Sequence, residues 1–242
     1  RYVSLAMKGE IVKIDRDGVA STYATLPIGT PFTFCSGFFA IVGPMTFDLQ
    51  GNLYASVASC DLDNRGVWKV DRNGAVSQIA RLPADSFPNG IAYRQGDLYV
   101  AESNKALVWT IDPKKPMASE PEVWVSSDLI SRVVPGAGMP GANGIQFFGD
   151  KAYVANTDRS TIVEIPINHR GRAGTPSVYA TTPTGCDDFA FDFLGNIYCA
   201  TFYDRPGGPY TGPDGRDHDD NWRRFAALAK AALVPGHIQN IV

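Results

Sequence analysis

The sequence predicts an all-β fold of the β-propeller type, incomplete, with four to five blades present and a helix near the C-terminus. Three observations carry this expectation. One strand–turn–strand line is written four times, two further strand lines recur behind it, and Gly, Asp and Asn punctuate the joints. The first line reads GPMTFDLQGNLYASVAS at 43–59, NGIAYRQGDLYVAES at 89–103, NGIQFFGDKAYVANT at 143–157 and DDFAFDFLGNIYCAT at 187–201. It is anchored by Tyr54, Tyr99, Tyr153 and Tyr198, at separations of 45, 54 and 45.

The second line is GEIVKIDRDG, RGVWKVDRNG, ALVWTIDP and STIVEIPI; the third is VASTYATLP, AVSQIARLP, EPEVWVSS and PSVYATTP. Each unit is therefore four short strands, too small a sheet to bury both faces alone. Radial stacking of such sheets buries them, whereas an immunoglobulin-like sandwich does not repeat one strand line four times. Units begin at residues 1 (partial), 43, 87, 141 and 186 (partial), with innermost strands starting near 45, 90, 144 and 188. The opening residues match the second strand of a unit. The partial first and last units leave two sheet edges unpaired, so residues 1–242 alone are expected to form an open arc with little or no activity. The blades occupy residues 1–203, and 204–242 is an irregular tail. Within it DDNWRRFAALAKAALVPG reads as a helix near 220–234: Asp219 or Asp220 caps it, Trp222, Phe225, Ala229 and Ala232 share a face, and Pro235-Gly236 ends it.

Composition excludes several classes. The chain is 44% hydrophobic and 19% charged, with 24 Gly and 17 Pro spread along it as punctuation. A net charge of -3 gives no reason to expect nucleic acid or an anionic membrane as partner, and no apolar run is long enough to span a bilayer. Cys35, Cys60, Cys186 and Cys199 have no C-x-x-C spacing, and Cys199 lies in the apolar run NIYCATF, which favours a buried free thiol over a disulfide. The compartment stays open.

Stacking the first strands exposes one column at their starts: Gly43, Asn89, Asn143 and Asp187. In a propeller these starts converge on the channel. Two amide oxygens and a carboxylate at one depth suit a hard divalent cation such as calcium, and the absence of Cys and His from the column argues against zinc. Asn and Asp that cap the top loops of their blades would leave the same column.

On PNGIAY…LYVAES, ANGIQF…AYVANT and CDDFAFD…GNIYCAT the sequence resembles the calcium-dependent propellers that include regucalcin, the gluconolactonases, luciferin-regenerating enzyme and, more distantly, diisopropyl-fluorophosphatase. The resemblance covers about residues 1–203. It implies a six-bladed propeller with one metal, most readily calcium, in the channel. It also implies a metal-dependent hydrolase acting on a small-molecule lactone or related ester. Asn143 and Asp187 match the family's metal ligands, Asp187 also its catalytic base, and Asn89 a residue touching substrate or metal. The family's further ligand, a Glu, would lie upstream of residue 1. Its Asp-Gly is Asp187-Asp188 here, which sets a second carboxylate beside the first. The alternative function is a non-catalytic propeller that binds a small ligand or a protein on its top face.

Other motifs are weaker. GAGMPG at 136–141 satisfies G-x-G-x-x-G, but a strand and not a helix is expected after it, so no helix N-terminus holds a pyrophosphate. DLDNRG at 61–66 starts like a calcium loop, yet Arg65 and Arg72 fill liganding positions. His169, His218 and His237 lack the spacing of a metalloprotease or Ser-hydrolase site. Glu102 and Asn156, at matching places at the far end of the second strand, read as solvated loop residues, with substrate contact the lesser alternative.

Overall fold

Short β-branched and aromatic runs broken by Gly and Asp turns pair with their nearest neighbours in sequence, and the chain becomes a series of antiparallel meanders. A computed structural model describes residues 1–31, 33–35, 38–115, 117, 121–133, 139–182 and 185–201, and beyond them only the backbone of four short strands. The first sheet holds three strands, β1 (Tyr2–Leu5), β2 (Glu10–Ile14) and β3 (Ala20–Thr25). A small hairpin follows, β4 (Phe34–Cys35) with β5 (Phe38–Phe39). Three four-stranded sheets come next. They are β6 (Ile41–Phe47), β7 (Leu53–Ala58), β8 (Gly66–Val70) and β9 (Val76–Arg81); β10 (Pro88–Arg94), β11 (Asp97–Glu102), β12 (Leu107–Ile111) and β13 (Glu122–Ser126); and β14 (Ala142–Phe148), β15 (Lys151–Asn156), β16 (Thr161–Pro166) and β17 (Ser177–Thr181).

The last sheet pairs β18 (Cys186–Phe191) and β19 (Ile197–Thr201) with two strands of the tail. Between them in sequence stands a hairpin, β20 (Tyr210–Thr211) with β21 (Asp217–His218). Then β22 (Ala227–Ala231) and β23 (Gln239–Ile241) complete a four-stranded order. The expected C-terminal helix is corrected here. Residues 227–231 run antiparallel to β19, from Ile197 opposite Ala231 to Thr201 opposite Ala227. Helix propensity favours alanine by only a few tenths of a kcal/mol per residue, whereas the open edge of β19 offers a full row of backbone hydrogen bonds. The rest of the expected helix, residues 220–226 and 232–234, lies outside the described residues, as do residues 136–138 of the glycine-rich run.

The innermost strands β6, β10, β14 and β18 lie side by side in chain order, the arrangement of propeller blades around a channel. The core lies between blades. Leu53, Ala55 and Val57 of β7 face Ile11 and Ala24 of the first sheet, while Tyr54 packs with Ile91, Leu98 and Val100. In β11, Leu98 and Val100 face one neighbour and Tyr99 and Ala101 the other; β15 divides Ala152 and Val154 from Tyr153 and Ala155 in the same way. A second strand buried on both faces has no polar alternation to display, which is why LYVA and AYVA read as continuous apolar runs. Each fully buried Leu, Ile or Val contributes about 1.5–3 kcal/mol, and these positions repeat in every blade. Among the described residues no helix is long and apolar enough to cross a membrane.

Both cysteine pairs are disulfides, Cys35–Cys60 and Cys186–Cys199, with Cα atoms 5.3 Å and 5.6 Å apart. This corrects the free-thiol expectation for Cys199. The residue is indeed fully buried, but β18 carries an extra residue that brings Cys186 diagonally beside it.

Candidate functional site

The column at the strand starts is a row of β-bulges. In β10 the register jumps from Pro88 opposite Glu102 to Ile91 opposite Val100, so Asn89 and Gly90 together face only Ala101. The same count sets Asn143-Gly144 against Ala155, Asp187-Asp188 against Ala200, and Gly43-Pro44 against Ser56. A bulge bends its strand and re-aims the side chains it carries. Here it turns the first residue of each pair out of the ladder at the inner end of its blade.

The glycine of the pair is demanded by packing. A Cβ on Gly90 would strike the carbonyl oxygen of Asn143 and come within 2.8 Å of Gly144 Cα. A Cβ on Gly144 would lie 2.5 Å from Asp188 Oδ1 and 2.8 Å from Asp188 Cα. Consecutive bulges thus touch backbone to backbone, and only Gly permits the approach.

A hydroxyl relay joins the blades at this level. Asn89 Nδ2 donates to Ser103 Oγ (3.3 Å), which donates to the carbonyl of Ala142 in the next blade (2.7 Å). One blade on, Asn143 Nδ2 donates to Thr157 Oγ1 (2.8 Å), which donates to the carbonyl of Cys186 (2.6 Å). Ser103 and Thr157 occupy equal places in YVAES and YVANT, and that shared hydroxyl column was the available sequence signal.

The relay leaves specific atoms over. Asn143 is fully buried, and its second amide hydrogen goes to Asp187 Oδ1 at 2.6 Å. Its Oδ1 is buried and has no hydrogen-bond partner. An amide has two donors and one acceptor oxygen, so the donors are spent and the acceptor is orphaned, a cost of about 1–3 kcal/mol unless something occupies it. Asp187 is held above the usual carboxylate range by burial, against the lowering effect of the Asn143 bond. Burial pushes Asp188 up to about 6; the bond from Phe189 N opposes this and the neighbouring Asp187 charge adds to it. Neither carboxylate belongs to an ion pair among the described residues. The structure therefore brings Asn143 and Asp187 into contact and places Asn89 one blade away, with no hydrogen bond between its side chain and theirs. Orphaned oxygen beside unneutralised carboxylate fits a hard cation. No group of three or more His, Cys, Asp and Glu side chains gathers for a metal among the described residues, so an amide oxygen has to count among the donors.

Glu102 and Asn156 are corrected: both are fully buried. Glu102 Oε1 accepts from the backbone N–H of Phe87 (2.7 Å) and Asn104 (3.0 Å), and Oε2 has no partner. Asn156 donates to the carbonyls of Leu129 (2.9 Å) and Ser131 (2.8 Å) and accepts from Arg159 N (3.1 Å). Each ties down the connection entering its blade. Burial pushes the Glu102 carboxyl up to about 6 from 4.5, against its two backbone bonds and Lys105. Arg65 and Arg132 also feel its charge. The folded protein then holds this proton between about pH 4.5 and 6 where the unfolded chain releases it. Stability falls as pH rises through that window, by about 2 kcal/mol in total. Glu102→Gln keeps the acceptor and removes the buried charge. It is expected to raise the melting temperature at pH 7.5 by about 4–8 °C, with the gain shrinking toward pH 4.5. Equal melting curves at both pH values would refute this.

Regucalcin from Agrobacterium tumefaciens aligns with a TM-score of 0.61 at 15% identity, covering 99% of this chain and 68% of that one. A gluconolactonase from Xanthomonas campestris aligns at 0.62 and 15%, covering 98% and 69%. The fold is that of the regucalcin and gluconolactonase propellers. A chain of a nidogen/laminin complex scores 0.62 at 13% identity, covering 99% and 77%, so the same architecture also occurs in a protein–protein complex. No family model matches the chain. A glycogen synthase from Rhizobium leguminosarum bv. trifolii is 55% identical over 47 residues. That stretch is 17% of this chain and spans only a tenth of the synthase.

Proposed function

We propose that this protein is a metal-dependent hydrolase that opens a lactone or related ester in the propeller channel. The observation that carries the reading is the Asn143–Asp187 pair, in contact at 2.6 Å, with the Asn143 Oδ1 buried and unpartnered beside it. Regucalcin and gluconolactonase among the solved structures of this fold support it. Asn143 Oδ1 and the Asp187 carboxylate would hold a divalent cation, calcium by the all-oxygen donor set, and the ion when bound would polarise the substrate carbonyl. Asp187 accepts a proton from a water whose oxygen attacks the carbonyl carbon. The ester C–O bond then breaks, and the proton goes to the departing oxygen to give a hydroxy acid. Asn89, on the neighbouring bulge, orients the substrate.

The second reading, a non-catalytic propeller that binds a ligand or protein, is favoured by the relay, since the amides of Asn89 and Asn143 also serve to hold blades together. One assay separates the two. In a chain extended at both ends, chelator-stripped protein is expected to be inactive toward a simple aldonolactone and to regain turnover with added calcium. Absence of turnover at saturating calcium, in protein with unchanged near-UV circular dichroism, would favour the binding module.

A further inference from the structure

We propose that Asp188 supplies the second anionic ligand of the cation site, so that the ion is held by Asp187 and Asp188 from one bulge and by Asn143 Oδ1 from the preceding one. This rests on the cation reading above and deepens it. In the β10 and β14 bulges the second residue is Gly because the following blade presses against it. In β18 that residue is Asp188, and its carboxylate leans over the preceding blade: Oδ1 lies 2.5 Å from where a Cβ on Gly144 would stand. Asp187 reaches the same bulge, through Asn143 Nδ2 at 2.6 Å. Both carboxylates of one bulge thus converge on the Asn143-Gly144 pair, where the orphaned Asn143 Oδ1 also lies. Asp188 Oδ1 accepts from its own Phe189 N at 2.8 Å, which fixes the carboxylate; its other oxygen has no hydrogen bond among the described residues. Two negative charges and a neutral amide oxygen form a donor set whose charge suits a divalent ion, whereas Asp187 alone leaves the ion under-neutralised.

The test is calcium binding by titration calorimetry on the whole chain, without substrate. The wild type is expected to bind one calcium ion, and Asp188→Asn and Asp188→Gly to weaken binding at least about tenfold. Asp188→Gly provides the folding control, because glycine already occupies this place in two other bulges; its calcium-free melting curve is expected to match the wild type or exceed it. Unchanged calcium affinity in both variants would overturn the role of Asp188 and leave the proposed hydrolase standing. No calcium binding by the wild type would overturn this proposal together with the cation on which that function depends. Normal affinity with slow turnover in the variants would also overturn the ligand role.

Discussion

In the chain extended at both ends, Asp187→Asn is expected to lower lactone hydrolysis by roughly 10²–10⁴-fold while leaving the melting temperature unchanged or slightly raised. The substitution preserves shape and keeps an oxygen to accept the 2.6 Å bond from Asn143 Nδ2. It removes the only group at that position able to take a proton from water. The second half of the expectation follows from the direction of its proton affinity. Burial already disfavours the charged form of Asp187, so a neutral amide relieves that cost. Loss of rate together with loss of fold would not fit this account. Near wild-type turnover would move the proton acceptor to Asp188, the neighbouring carboxylate.

Removing the Cys186–Cys199 disulfide is expected to lower the melting temperature by roughly 6–12 °C, since closing a loop of this size contributes roughly 3 kcal/mol. The bond spans 13 residues and joins the two strands that frame the acidic bulge. Cys186 directly precedes Asp187, and its carbonyl is the acceptor that ends the relay from Thr157. Cys186→Ala with Cys199→Ala should therefore weaken calcium binding as well as stability, whereas loss of Cys35–Cys60, which ties the β4 hairpin to the segment after β7, should affect stability alone. Melting curves and calcium titrations on the two double variants decide it. Equal calcium affinity in both would show that the bulge keeps its geometry without the covalent tie.

What the sequence made legible was whatever depends on period. Four copies of one strand line located the inner strands, and the Asn, Asn, Asp column, read only as their starting points, falls on the bulges, because a repeated backbone device demands the same residue types each time. Three features escaped. The disulfide in the last blade depends on a one-residue register jump, which no spacing rule reveals. Glu102 and Asn156 looked solvated because polar residues at strand ends normally are, yet these two satisfy backbone N–H and C=O groups of entering loops in full burial. Residues 227–231 carry a helical pattern, but the vacant edge of β19 outweighed it, a tertiary influence invisible in local propensity.

The bulges also set how this scaffold tolerates change. Each accommodates two residues in one rung of the ladder, so exchanging the first of the pair leaves strand register and the apolar interleaf layers untouched. In β10 and β14 the following blade fixes the second residue as glycine, and only the first carries a side chain. In β18 both places already hold side chains. New chemistry can therefore be written into the channel in single-residue steps from two blades and in paired steps from a third, provided a polar group remains in the first two to feed the hydroxyl relay.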